Sequence, residues 1–212
     1  MVFYKARAFF LVVFSVGLIF SALSQEGGGD GSDEIPIESD WDGAVPTLYS
    51  RGDQIFSMTL GTLFPIVFFD ARGKTYPHNL FAVGGMGALS YNYFLSPHWF
   101  AGGEISGMFI KTRNSMLYIV PMGFLGGYQF ILGQFEFPLS LMLGVAPQKF
   151  LDEGYFGYLF LKPRVSAFWR FSPEWSFGLN TAWWWVPQWP KDRSKNATGN
   201  FLELTFSARI HF

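Results

Sequence analysis

The chain has 212 residues, of which 50% are hydrophobic, 20% aromatic and only 15% charged, too apolar for an ordinary water-soluble domain of this length. With no cysteine it can form neither disulfides nor thiolate metal sites, and a formal net charge of -1 with no Lys/Arg cluster leaves no stripe for nucleic acid. These features direct attention to a membrane.

Lys5 and Arg7 precede an uncharged run from Ala8 to Leu23, and Ala22-Leu23-Ser24 places small residues three and one positions before a cut after Ser24. Residues 1-24 therefore read as a cleaved signal peptide rather than a retained anchor helix, since the run is at the short end of what crosses a bilayer. Its removal takes away two cations and moves the net charge from -1 to -3. Residues 25-50 hold Glu26, Asp30, Asp33, Glu34, Glu38, Asp40 and Asp42 among Gly, Ser and Pro without an apolar period, the composition of a disordered acidic leader. Asp30 to Glu34 lacks the carboxylate spacing and distal Glu of a calcium loop, so no metal or other cofactor is expected.

Residues 51-212 carry the folded domain. Ser115 to Gly133 is uncharged for nearly the length of a membrane helix, yet 24 glycines, Pro121, Pro138 and Pro163, and many aromatic and β-branched residues oppose a helical bundle. Segments in which charge makes the period visible alternate by two. Phe56, Met58 and Leu60 oppose Ser57 and Thr59; Trp99, Ala101 and Ile105 oppose Glu104 and Ser106. Phe135, Phe137, Leu139, Leu141 and Leu143 oppose Glu136 and Ser140, and Leu161, Val165, Ala167 and Trp169 oppose Lys162, Arg164 and Arg170. Trp175, Phe177, Leu179 and Trp183 oppose Ser176 and Asn180. Finally Leu202, Leu204, Phe206, Ala208, Ile210 and Phe212 alternate with Glu203, Thr205, Ser207, Arg209 and His211. Period two over ten or so residues is a strand with one face in hydrocarbon and one in a lumen. Phe81 to Leu95 and Met116 to Phe130 are apolar on both faces; closure of the sheet requires them as strands but leaves their phase open.

Eight strands result, starting near Gly52, Leu80, Trp99, Ser115, Gln134, Tyr155, Trp175 and Asn200. Their connections alternate between short turns (Ser96-Pro97-His98, Leu132-Gly133, Ser172-Pro173-Glu174) and longer polar loops (Pro65 to Asn79, Lys111 to Ser115, Ala146 to Gly154, Pro187 to Gly199). The expected fold is all-β, a closed antiparallel up-and-down transmembrane barrel with periplasmic termini and extracellular loops. Aromatic belts are expected at Trp99, Trp169 and Trp175, with Tyr91, Tyr93 and Tyr128, on one rim, and at Trp183, Trp185, Trp189, Tyr155 and Tyr158 on the other.

The Ser-Pro-x-Trp turns, the alternating strands and the terminal Phe212 resemble the small eight-stranded bacterial outer-membrane barrels of the OmpX, opacity-protein and OmpW type, over Arg51 to Phe212. The resemblance implies an outer-membrane location, contact with outer-membrane lipid, and a last strand whose Leu204, Phe206, Ala208, Ile210 and Phe212 are read by the barrel-assembly machinery.

A barrel of eight strands has room for its own side chains or one small ligand. The inward set contains Glu104, Glu136 and Glu203 against Lys162, Arg164, Arg170 and Arg209, so mutually paired charges plugging the lumen are expected, with Glu136 pairing Arg170 and Arg164 meeting Glu104. A structural or surface-interaction role, through host or surface ligands at the outer loops, follows. Alternatively Met86, Leu117, Ile119, Leu125, Met142 and Trp184 line an apolar lumen that passes small hydrophobic solutes, as the OmpW likeness implies. An enzyme is disfavoured: of three histidines only His78 falls in an outer loop, and Ser207 and His211 sit too far apart along one strand.

Overall fold

The computed structural model describes residues 49-70, 72-76, 83-111, 116-150, 153-188 and 197-212. The expected signal peptide and nearly all of the expected acidic leader, together with His78, Trp189 and the side chain of Tyr155, lie outside the described residues.

Ten strands are assigned in chain order: β1 Gln54–Asp70, β2 Thr75–Tyr76, β3 Gly84–Phe94, β4 Trp99–Lys111, β5 Met116–Ile119, β6 Met122–Leu132, β7 Phe135–Phe150, β8 Glu153–Arg170, β9 Trp175–Gln188 and β10 Ala197–His211. β2 is a two-residue addition to β1. β5 and β6 both run between β4 and β7, so they are one wall strand interrupted at Val120 and Pro121. The wall therefore has eight antiparallel strands, each paired with its chain neighbour, and β10 returns to β1 from Ile55↔His211 to Asp70↔Ala197. Closure leaves no unpaired edge, the condition for a sheet in hydrocarbon.

The turns follow from their sequences. In Ser96-Pro97-His98 and Ser172-Pro173-Glu174 the serine hydroxyl accepts the amide hydrogen of Trp99 at 3.2 Å and of Trp175 at 3.1 Å, so the two segments fold alike. Gly133, with φ at 58°, takes the left-handed position of the tight turn from β6 to β7.

At the opposite end the strands run further than the sequence suggests. β1 continues through Pro65 to Asp70, β7 reaches Phe150 and pairs it with Glu153, and β9 and β10 extend to Gln188 and back to Ala197. Much of Pro65 to Asn79 and Ala146 to Gly154, and the two ends of Pro187 to Gly199, are thus wall rather than loop. Polar residues and prolines there mark departure from the apolar layer, not from the hydrogen-bonded ladder. Pro65 is absorbed by a bulge between Pro65 and Val67, and a second bulge lies between Gly144 and Ala146. Strands of 17, 16 and 18 residues in β1, β7 and β8 exceed the roughly 9–11 that cross a bilayer, so the wall projects beyond it.

The outward set is apolar and exposed, with Leu60 at 72%, Phe124 at 84% and Leu179 at 66%. A continuous ring of such residues is unsustainable against water and fits hydrocarbon. The phases of β3 and β5/β6, open in the sequence, are settled: Met86, Ala88, Ser90, Asn92 and Phe94 point inward, as do Leu117, Ile119, Leu125 and Gln129.

Candidate functional site: the barrel lumen

The lumen is built in three layers. Near the long-loop end it is apolar, with Ile110, Ile119, Leu63, Phe160 and Trp184 all fully buried. Phe160 meets the Trp184 ring edge-on at 5.2 Å.

Below this lies the first charged cluster. Glu104 on β4 faces β8 across the lumen, where Lys162 Nζ approaches it at 2.9 Å and Arg164 Nη2 donates to Oε1 at 2.6 Å. Lys162 also pairs with Glu203 of β10 at 2.6 Å, so one ammonium joins two carboxylates. Trp184 Nε1 at 2.6 Å and Thr205 Oγ1 at 3.0 Å donate to the two oxygens of Glu203, and the Lys162 ammonium sits 4.8 Å from the Trp184 ring centre. Every one of these side chains is at least nine-tenths buried. Alternation explains how they converge: Lys162 and Arg164 are two apart on β8, Glu203 and Thr205 two apart on β10, and all take the inward phase. Unpaired, each charge would cost several kcal/mol in so narrow a space.

The second cluster closes the end that bears the short turns. Glu136 of β7 is shared by Arg170 of β8 at 3.6 Å and Arg209 of β10 at 3.8 Å. Tyr49 donates to Glu136 Oε1 at 2.7 Å, stacks on Phe94 with ring centres 4.0 Å apart, and is 3% exposed. Burial, and then the adjacent Glu136 carboxylate, push the Tyr49 phenol far above its usual range, so it remains a proton donor. Although Tyr49 falls within the segment assigned by composition to the leader, it packs as part of the barrel. No sequence signal marks it, because one aromatic residue in a polar stretch has no period.

His211 also belongs to this cluster, with Nε2 at 2.9 Å from Ser176 Oγ and Nδ1 at 3.1 Å from Tyr49 Oη. Ser207, expected to lie too far from His211 along the same strand, bonds Thr59 and Asn180. The serine partner of His211 comes from the adjacent strand instead, a pairing that sequence spacing cannot reveal. Ser176 is fully buried beneath this layer.

The remaining predicted residues occupy the outer face. Trp99 is 58% and Trp169 46% exposed, while Trp175, Trp183 and Trp185 are half-buried there. Leu204, Phe206 and Phe212 are exposed and Ala208 and Ile210 half-buried, all outward on β10. Phe212 exchanges backbone hydrogen bonds with Gln54 at 2.9 and 3.2 Å, so the last residue helps seal the wall.

A protein-family model matches residues 35–210, almost the whole described barrel. The chain belongs to that family. Among its relatives are an uncharacterized protein of Treponema pallidum (strain Nichols), 28% identical over 130 residues that cover 61% of this chain and 59% of the relative. Another is an uncharacterized protein of Borreliella burgdorferi (strain ATCC 35210 / DSM 4680 / CIP 102532 / B31), 27% identical over 143 residues, covering 56% of this chain and 66% of the relative. The matches thus span about three-fifths to two-thirds of those relatives' lengths. Among solved structures, Neisserial surface protein A superposes with a TM-score of 0.53 at 12% identity, covering 76% of this chain and 97% of that one. The fold of this chain is accordingly that of the small eight-stranded outer-membrane barrels.

Proposed function

We propose that this family member is an outer-membrane barrel with a closed lumen, which serves the envelope as a structural or surface-interaction element rather than as a pore or an enzyme. The observation that carries this reading is the stack of buried side chains along the axis, interrupted by a void of about 10 Å³: the apolar layer around Trp184, the Glu104–Lys162–Glu203 cluster, and the Tyr49–Glu136–Arg209 closure. A permeant ion would have to break buried charge pairs, which costs several kcal/mol. With the inside occupied, recognition falls to the rim and loops, where binding residues on rigid scaffolds collect. Host or surface ligands are the partners this reading names, together with outer-membrane lipid around the wall. Assembly would proceed through recognition of the outward Leu204, Phe206, Ala208, Ile210 and Phe212 by the barrel-assembly machinery.

The alternative, diffusion of small hydrophobic solutes, draws on the apolar layer that holds Met86, Leu117, Ile119 and Met142. Full burial of Ile119 and Met142 favours a packed core over a path. Reconstitution in planar bilayers tests both. The folded chain should show no steps above baseline, and vesicles bearing it should take up a small apolar dye no faster than empty ones. Reproducible conductance or accelerated dye entry would overturn the closed barrel.

A further inference from the structure

We propose that the middle of the lumen is a binding site for one small monovalent anion of chloride size, held between Arg164 and Arg209. This rests on the closed-lumen reading.

The two charged clusters do not touch. Between them is a small void lined by Ser57, Thr59, Asn92, Arg164, Asn180 and Arg209, among others. Arg164 enters it from β8 and Arg209 from β10, with relative exposures of 9% and 8%. Nε of Arg164, Nε of Arg209, and the Ser57 hydroxyl are buried without a hydrogen-bond partner, as is the acceptor Asn92 Oδ1, and Arg209 Nη1 has only the long contact to Glu136 at 3.8 Å. On the same wall Asn180 is paired, donating to Ser207 at 2.8 Å and to Thr205 at 3.1 Å, whereas the arginine donors are not. Orphaned donors of this kind are expensive, and here several border one space.

Charge decides between water and an anion as the occupant. Among the described residues the lumen clusters hold four cations, Lys162, Arg164, Arg170 and Arg209, against three carboxylates, Glu104, Glu136 and Glu203. Glu104 and Glu203 are committed to Lys162 and Arg164. Glu136 is left to serve two arginines, both beyond 3.5 Å, and also accepts from Tyr49. The excess positive charge lies at Arg209. Its guanidinium rests 3.3 Å from the Phe168 ring centre, a cation–π contact that covers one face and leaves the in-plane N–H groups available. Water satisfies donors but supplies no counter-charge, whereas a monatomic anion does both. The void leaves about 10 Å³ for the centre of a water-sized body, which gives room for one monatomic ion and too little for a carboxylate or phosphate solute.

The test uses the full chain folded in detergent micelles without halide, with gluconate as the counter-ion. Chloride or bromide added at constant ionic strength should raise the urea midpoint of unfolding saturably, and Arg209→Gln should remove that response. Crystals grown in bromide should show an anomalous peak between Arg164 and Arg209. This second measurement needs no variant, so it stands if Arg209→Gln fails to fold. An ordered water there without halide, a halide response unchanged in Arg209→Gln, or bromide bound with no effect on stability, an adventitious ion only, would each overturn the proposal. Conductance through the same preparation would instead sink the closed-barrel reading, while a silent barrel with no halide response would sink the anion site alone.

Discussion

Glu104 is the residue on which the lumen turns. It accepts from Lys162 and Arg164 at once, and its loss leaves both cations buried with a single remaining carboxylate, Glu203. Glu104→Gln is expected to lower unfolding stability by about 3 kcal/mol, read from urea titration of the gel-shifted folded band. Arg170→Gln should cost clearly less, because Arg170 lies at the short-turn end with 12% side-chain exposure and Glu136 keeps Arg209 and Tyr49. Equal losses in the two variants would show that burial is not what sets their contributions. The identities and inward phase of these charges were legible in the sequence, since Glu104, Lys162, Arg164 and Glu203 interrupt apolar alternation. Two pairings, Arg164 with Glu104 and Arg170 with Glu136, were expected and are present; the sharing of Lys162 between Glu104 and Glu203 depends on shear between strands, which no single strand encodes.

Among the elements, the wall shows where alternation is readable and where it fails. β7, β8 and β10 place charges on one face, so their phase follows directly from sequence. β3 and β5/β6 put Met86, Leu125 and Ile119 inside and Leu89, Tyr118 and Phe124 outside. Both faces are apolar there, and only the neighbours' hydrogen bonds fix the register. Where β6 crosses β7, Gly123 and Gly144 face each other in register. A Cβ on Gly144 would lie 2.1 Å from the Met122 carbonyl oxygen, and one on Gly123 2.2 Å from that of Leu143. Rigid backbone on both sides cannot yield cheaply, so Gly144→Ala should destabilise the barrel by about 2 kcal/mol. Gly107→Ala, with open space around the added methyl, serves as the control and should be near neutral in the same urea titration.

At the scale of the molecule, the barrel inverts the usual arrangement, with an apolar exterior and a mixed interior. Variants that retain one tryptophan make this measurable in bilayers containing brominated lipid. Trp99 and Trp169, on the outer face, should be strongly quenched, whereas Trp184, fully buried beside Glu203 and Lys162, should keep most of its emission. Quenching of Trp184 comparable to that of Trp99 would place the β9 phase the other way round.

The sequence by itself determined the class of fold, the number of wall strands and most of the inward charges, because a period of two is a local property imposed by a solvent that differs on the two faces of each strand. It also predicted the Ser-Pro turns, whose geometry is set within four residues. Tertiary structure decided what depends on closure: the extension of β1, β7 and β9 beyond the apolar layer, the entry of Tyr49 into the lumen, the meeting of Ser176 with His211, and the separation of two charged clusters by a small void. Each arises between strands distant in the chain, where register and shear, rather than the pattern along any one strand, bring side chains together.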